Sequence, residues 1–131
     1  MILVDTSIWI DHFHAPEGHL VELLTRDEVG CHPLVIEELA LGSLARRDET
    51  LDLLAALRGF PQVTHEELLV LVAANQLWGR GLSPTDANLI GSVRLVGGAA
   101  LWTRDKRLLA AAEEMGVAHH PRGAGAPAAS R

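Results

Sequence analysis

The sequence has a single cysteine, Cys31, so no internal disulfide can form and no paired-thiol metal or redox motif exists. That suits a reducing compartment. Long apolar runs are missing as well: none approaches the roughly 18 residues a membrane span needs. The opening Met1-Ile2-Leu3-Val4-Asp5 lacks the basic region of a signal peptide and meets an acid at once. A soluble, cytoplasmic protein is expected. Positive charge is scarce, with 11 Lys and Arg against 17 Asp and Glu and a formal net charge of -6. This argues against indiscriminate nucleic-acid binding, which runs on phosphate neutralisation. It does not exclude a nuclease, because clustered metal-binding acids make a protein look acidic until the cation arrives. Lysine is nearly absent, Lys106 standing alone among arginines. Arginine forks suit bidentate phosphate contacts, although codon usage in a GC-rich genome produces the same bias.

What is present suits one domain. The chain has 131 residues, of which 48% are hydrophobic, enough for a core without disulfides or structural metal. Ile2-Leu3-Val4 reads as a buried strand running into Asp5-Thr6-Ser7, each able to cap a helix. A short helix through Trp9 and Phe13 follows, then one from about Gly18 to Arg26 and a strand over Glu28 to Cys31. Pro33 opens a helix through Ile36 and Leu39. Asp48 to Leu57 has helical spacing and stops at Gly59, a C-cap by this reading. Phe60 to Val63 is a third strand candidate. Thr64 and Glu67 form a capping box for a helix ending near Gly79-Arg80-Gly81. Ser83-Pro84-Thr85-Asp86 starts another, ending at Gly97-Gly98. Ala99 to Thr103 is a strand, Asp105 to Met115 a helix closed by Gly116, and Val117 to His119 a last strand. The Gly-, Ala- and Pro-rich remainder, 121–131, is predicted to be a disordered tail.

Strands alternating with helices imply an α/β fold, three layers deep, with a mostly parallel sheet of about five strands. In such sheets the site lies beyond the carboxyl ends of the strands. Asp5 ends the first strand, and Asp105 follows the strand before the last helix. Glu38 and Asp86 sit near helix starts, at that same edge. Each has a plain structural reading. Asp5 and Asp105 can be helix caps, Asp86 can complete a capping box with Ser83, and Glu38 can be a solvated position on an otherwise apolar helix. Together they suggest more. Clustered carboxylates repel one another unless protons or cations intervene. Hard oxygen ligands select Mg²⁺ or Mn²⁺, which can activate water against a phosphodiester.

Met1-Ile2-Leu3-Val4-Asp5-Thr6-Ser7-Ile8-Trp9-Ile10-Asp11 resembles the opening of VapC-type PIN-domain toxins. So does Glu38-Leu39-Ala40-Leu41-Gly42. Pro84 to Ile90 resembles the family's third acidic motif, and Leu101-Trp102-Thr103-Arg104-Asp105 its fourth. The motifs stand in family order and span almost all of residues 1–120. The resemblance implies a Mg²⁺- or Mn²⁺-dependent endoribonuclease with Asp5, Glu38, Asp86 and Asp105 as catalytic and metal-site residues. It also implies a structured RNA substrate such as tRNA or rRNA, a VapB-like antitoxin and a homodimer. Ser7 and Thr103 match hydroxyl positions that assist the site, and Arg104 is placed to hold phosphate. Glu37 competes with Glu38, the spacing to Gly42 favouring Glu38. Asn88 stands where an apolar residue is usual.

The remaining features have plainer readings. His12 and His14 point to different sides of a helix and cannot share a metal. His119-His120 brings no further ligands. Trp9, Trp78 and Trp102 could stack on bases, with core packing expected for at least two of them. Arg46 and Arg47 fit a solvated face. The apolar helix from Glu66 to Leu77 is either core or a dimer face. Two other classes compete with the nuclease. A phosphatase or phosphotransfer domain would want an Asp-x-Asp nucleophile, which Asp5-Thr6-Ser7 does not supply. A catalytically idle PIN domain binding RNA or protein would have no need of all the acids.

Overall fold

Ile2–Val4 forms β1, flanked by parallel neighbours, with Leu3 and Val4 fully buried and Ile2 partly so. The computed structural model describes residues 1–121, so all of the expected tail but Pro121 lies outside the described residues. Within them the order is β1, α1 (Thr6–His14), α2 (Gly18–Thr25), β2 (Val29–Cys31), α3 (Pro33–Ala40), α4 (Arg47–Ala56), β3 (Arg58–Gly59), α5 (His65–Asn75), α6 (Pro84–Arg94), β4 (Ala100–Trp102) and α7 (Lys106–Glu114). The sheet runs β3-β2-β1-β4, every pair parallel. In register, Leu3 stands beside Gly30 on one side and Leu101 on the other. Parallel strands need crossovers, and the helices supply them while burying both sheet faces. Leu3, Ile8, Leu20, Val35, Leu89, Ile90, Leu101 and Leu108 form the fully buried centre.

The α/β parallel architecture is as expected, with four strands instead of about five. The expected strand over Val117–His119 is a single bridge between Ala118 and Leu101. Leu101 donates to Val117 O at 2.7 Å and accepts from His119 N at 2.8 Å, and the contact goes no further. The third strand is displaced from Phe60–Val63 to Arg58–Gly59. Phe60 still donates to Cys31 O at 2.9 Å, but Pro61 has no N–H with which to extend the ladder. Gly59 is therefore a strand residue and caps nothing; α4 ends at Leu57 in extended backbone. Gly30 admits this packing: a Cβ there would lie 2.2 Å from the Phe60 ring.

Helix starts follow the capping chemistry. Thr64 and Glu67 close a capping box on α5, Ser83 and Asp86 another on α6, and Asp105 caps α7. The end of α5 comes earlier than the glycines suggested, at Gln76, which takes the left-handed conformation itself (φ 53°). No described helix is long and apolar enough to cross a membrane.

Candidate active site

The carboxyl ends of β1 and β4 meet at Asp5. Its N–H donates to Trp102 O at 2.9 Å, extending the sheet by one bond into the site. As the N-cap of α1, Asp5 accepts the Thr6 N–H on Oδ1 at 2.8 Å. Its Oδ2 accepts from Thr103 Oγ1 at 2.7 Å and from Ser7 Oγ at 3.1 Å. The residue is 8% exposed. Burial pushes its pKa up, the three hydrogen bonds pull it down, and the negative charge of Asp86 adds to the rise. The net direction is upward, so Asp5 sits where a negative charge is poorly tolerated unless a cation comes.

The other acids each use one oxygen for position. Thr6 Oγ1 donates to Glu38 Oε1 at 2.6 Å, tying α3 to the start of α1. Asp86 Oδ2 accepts from Ser83 N at 3.0 Å within its capping box. Asp105 Oδ1 accepts from Arg107 N at 2.9 Å and Leu108 N at 3.1 Å. Thr103 joins two of the acids. Its hydroxyl donates to Asp5 and accepts from Asp105 N at 3.1 Å. The capping readings are thus correct for Asp5, Asp86 and Asp105, and they position carboxylates without consuming the second oxygen of Asp86, Asp105 or Glu38. The charge of Glu37 acts on His32, and adjacent helical residues stand about 100° apart.

The structure brings Asp5, Ser7, Thr103 and the Asp105 backbone into one hydrogen-bonded unit, with Glu38 reached through Thr6 and Asp86 within electrostatic range of Asp5. It does not gather the acids into a closed cage. Among the described residues, no three His, Cys, Asp or Glu side chains are arranged so that they could hold a metal ion as they stand. Arg104 does not hold itself open for phosphate: its guanidinium pairs with Asp11 at 2.6 Å and with Glu17. It braces the turn after β4 against the α1–α2 corner.

Sequence reasoning missed a second layer beneath the acids. His32 is fully buried and accepts the Leu34 N–H on Nδ1 at 3.0 Å, capping α3. That makes Nε2 the donor, and it meets Asn88 Oδ1 at 3.1 Å. The same Oδ1 accepts from Val63 N at 3.0 Å while Asn88 Nδ2 donates to Val63 O at 3.2 Å. Asn88 thereby satisfies the backbone leading into α5 and links α6, which carries Asp86, to α3, which carries Glu38. Burial holds the His32 pKa down, so the ring stays neutral in this role. The polar residue at an apolar position was the available signal.

Of the histidines weighed and set aside as metal ligands, three are engaged elsewhere. His12 Nδ1 accepts from Glu17 N at 3.0 Å, and His120 lies 3.3 Å from Glu113. His119 Nε2 meets His19 Nε2 at 2.8 Å, and burial pushes its pKa down to about 4. The Cys31 thiol is pushed up to about 11 by burial and stays protonated. Trp9 and Trp102 belong to the core, as expected of two of the tryptophans, and Trp78 is exposed.

This arrangement, with acids at the carboxyl edge of a four-stranded parallel sheet, belongs to a known family. The PIN-domain family matches residues 2–114, and the chain is a member of it. Within the family it stands with the VapC type: Ribonuclease VapC32 of Mycobacterium tuberculosis is 69% identical over 118 residues, which is 90% of this chain and 95% of the relative, in both strain CDC 1551 / Oshkosh and strain H37Rv. Solved structures share the fold. PAE2754 from Pyrobaculum aerophilum is 23% identical with a TM-score of 0.57, covering 86% of each chain. FitAcB from Neisseria gonorrhoeae is 18% identical with a TM-score of 0.53, covering 86% of this chain and 94% of its own.

Proposed function

We propose that this chain is a divalent-metal-dependent endoribonuclease, the toxin of a toxin–antitoxin pair, acting through Asp5, Glu38, Asp86 and Asp105. The observation that carries the reading is the buried Asp5 carboxylate, its pKa raised, facing the charge of Asp86 at the edge where Asp105 and Glu38 also end. The likeness to Ribonuclease VapC32 supports it.

The donor set fits Mg²⁺ or Mn²⁺: hard oxygens only, with no thiolate and no imidazole among them. Asp5, Glu38, Asp86 and Asp105 would hold the ion. Bound there, a divalent cation would supply water activation and neutralisation of the charge that builds on the phosphodiester. The chain's own residues do the rest. Thr103 and Ser7 fix the Asp5 carboxylate by two hydroxyl donors. Thr6 fixes Glu38. The caps hold Asp86 in the first turn of α6 and Asp105 at the N-cap of α7, where the partly positive helix ends steady the carboxylates.

EDTA should abolish cleavage of structured RNA, and excess Mg²⁺ or Mn²⁺ should restore it. Undiminished cleavage in EDTA by a contaminant-free sample would rule out the metal mechanism. An idle PIN domain that only binds RNA draws on the absence of a preformed cage among the described residues. It predicts no cleavage under any metal.

The partners follow from the same reading. With no cation bound, the acids present a concentrated negative field. A VapB-like antitoxin would answer it with a basic side chain directed at Asp5 and Asp105, and co-expression should then relieve growth arrest. For a homodimer, α5 is the face we favour. That helix has no buried residue over its 11 positions, although Leu68, Leu69, Val70, Leu71 and Val72 run through it, and Leu69 and Val70 are exposed by more than half. Val70→Glu should convert a dimer to a monomer by light scattering; an unchanged mass would move the interface elsewhere.

A further inference from the structure

A nuclease whose net charge is -6 must still grip a polyanion beside its own acids. Most arginines near that edge are already committed. Arg104 is paired with Asp11 and Glu17, and Arg80 makes a bidentate pair with Glu114 at 2.9 and 2.8 Å. Lys106 and Arg107 make no ion pair among the described residues, and they open α7 directly after Asp105. The Arg107 side chain runs across to the connection between α5 and α6. A Cβ on Gly81 would lie 2.8 Å from its Nη1 and 2.9 Å from its Cδ. Two residues past Gly81, Ser83 caps the helix that carries Asp86. Arg107 therefore lies between the helix starts that hold Asp105 and Asp86.

The same connection holds out Trp78. Its indole is 63% exposed, whereas Trp9 is 4% and Trp102 2% exposed. The display is built. Leu77 before it is buried at 4%, Gln76 and Gly79 on either side take left-handed backbone, and the Arg80–Glu114 pair ties the loop to α7. Trp78 is three residues from Gly81, so its backbone lies within roughly 10 Å of the Arg107 side chain's contact there. An exposed indole is a stacking platform for an unpaired base, and a guanidinium at that distance suits the adjoining phosphate.

We propose that Trp78 and Arg107 form a nucleotide grip at the mouth of the acid site, the indole stacking on an unpaired base of the RNA and the guanidinium binding its phosphate. The proposal rests on the ribonuclease reading for its substrate. It requires single-stranded RNA at this point, because a paired base offers no free face.

The test uses the full-length Asp5→Asn variant, which should bind without cutting, titrated with an unpaired RNA hexamer in Mg²⁺. Quenching of tryptophan emission is expected, since only Trp78 among the tryptophans is exposed, and a duplex of the same sequence should quench little. Trp78→Leu should remove the signal and weaken binding about tenfold. Arg107→Gln should lower the slope of log K against log salt by about 0.7, the share of one phosphate contact on a single strand. In cleavage, both changes should raise KM and leave kcat near that of the wild type. Binding and salt slope unaltered by either change would overturn the grip while leaving the nuclease intact. Emission that follows protein concentration and not RNA would assign Trp78 to self-association, and would overturn it too. If the hexamer quenches Trp78 but no metal supports cleavage, the grip stands and the nuclease reading falls.

Discussion

Asp5→Asn should abolish RNA cleavage and leave the fold at least as stable as the wild type. The loss should be on the order of 10³-fold, as for removal of a charged group at the reacting centre. The stability expectation comes from burial. The folded pKa of Asp5 is raised, so the folded protein binds this proton more tightly than the unfolded chain. Such a group adds stability below the unfolded pKa, and that stability is lost as pH rises through the folded pKa. Once ionised, the wild type carries an unfavourable buried charge; the amide does not. An asparagine also caps α1 as well as aspartate does. The difference in Tm between variant and wild type should therefore grow from pH 4 to pH 7. Mg²⁺ at 100 times its Kd should stabilise the wild type by about 2.7 kcal/mol and the variant by less. A variant that melts lower and still cuts RNA would show Asp5 to be a structural cap.

The second large effect separates neighbours. Glu38→Gln should lower cleavage by on the order of 10²-fold or more, because the amide keeps the bond to Thr6 Oγ1 and loses only the charge. Glu37→Gln should leave cleavage near wild type and shift stability within about 0.5 kcal/mol, as for a surface position. Its charge acts on His32, and the Thr6 hydroxyl is bonded to Glu38. Equal losses in the two variants would show that the α3 helix, and not the Glu38 carboxylate, is what cleavage needs.

The helix starts were legible because their signals are local. Ser83 with Asp86, Thr64 with Glu67 and Asp105 before α7 announce themselves within three residues. The order of the acids along the chain was equally plain, and the parallel-sheet rule placed Asp5 and Asp105 at one edge. What was not legible depended on distant partners. Arg104 looked free beside Asp105; its partners Asp11 and Glu17 are far back in the chain. Asn88 made no sense until Val63 and His32 were brought against it. The third strand was misplaced because apolar residues Phe60 and Val63 outweighed the ladder's needs. Pairing was decided by the missing Cβ of Gly30 and the missing N–H of Pro61. The caps posed a different problem. A capping aspartate and a metal-binding aspartate look alike in sequence because one residue can do both.

The strand order also bears on when the site comes into being during synthesis. β1 lies between β2 and β4, and the bonds that frame Asp5 come from Trp102 and Thr103. While β2 can be laid against β1 early, β4 is translated nearly a hundred residues later. At about 5–20 residues per second, the ribosome needs roughly 5–20 s to cover that interval. Contacts of such long sequence separation form late in folding as well. Until then Asp5 has neither its Thr103 donor nor the Asp105 backbone nearby, so the hydrogen-bonded unit around Asp5 is completed only when most of the chain has been made.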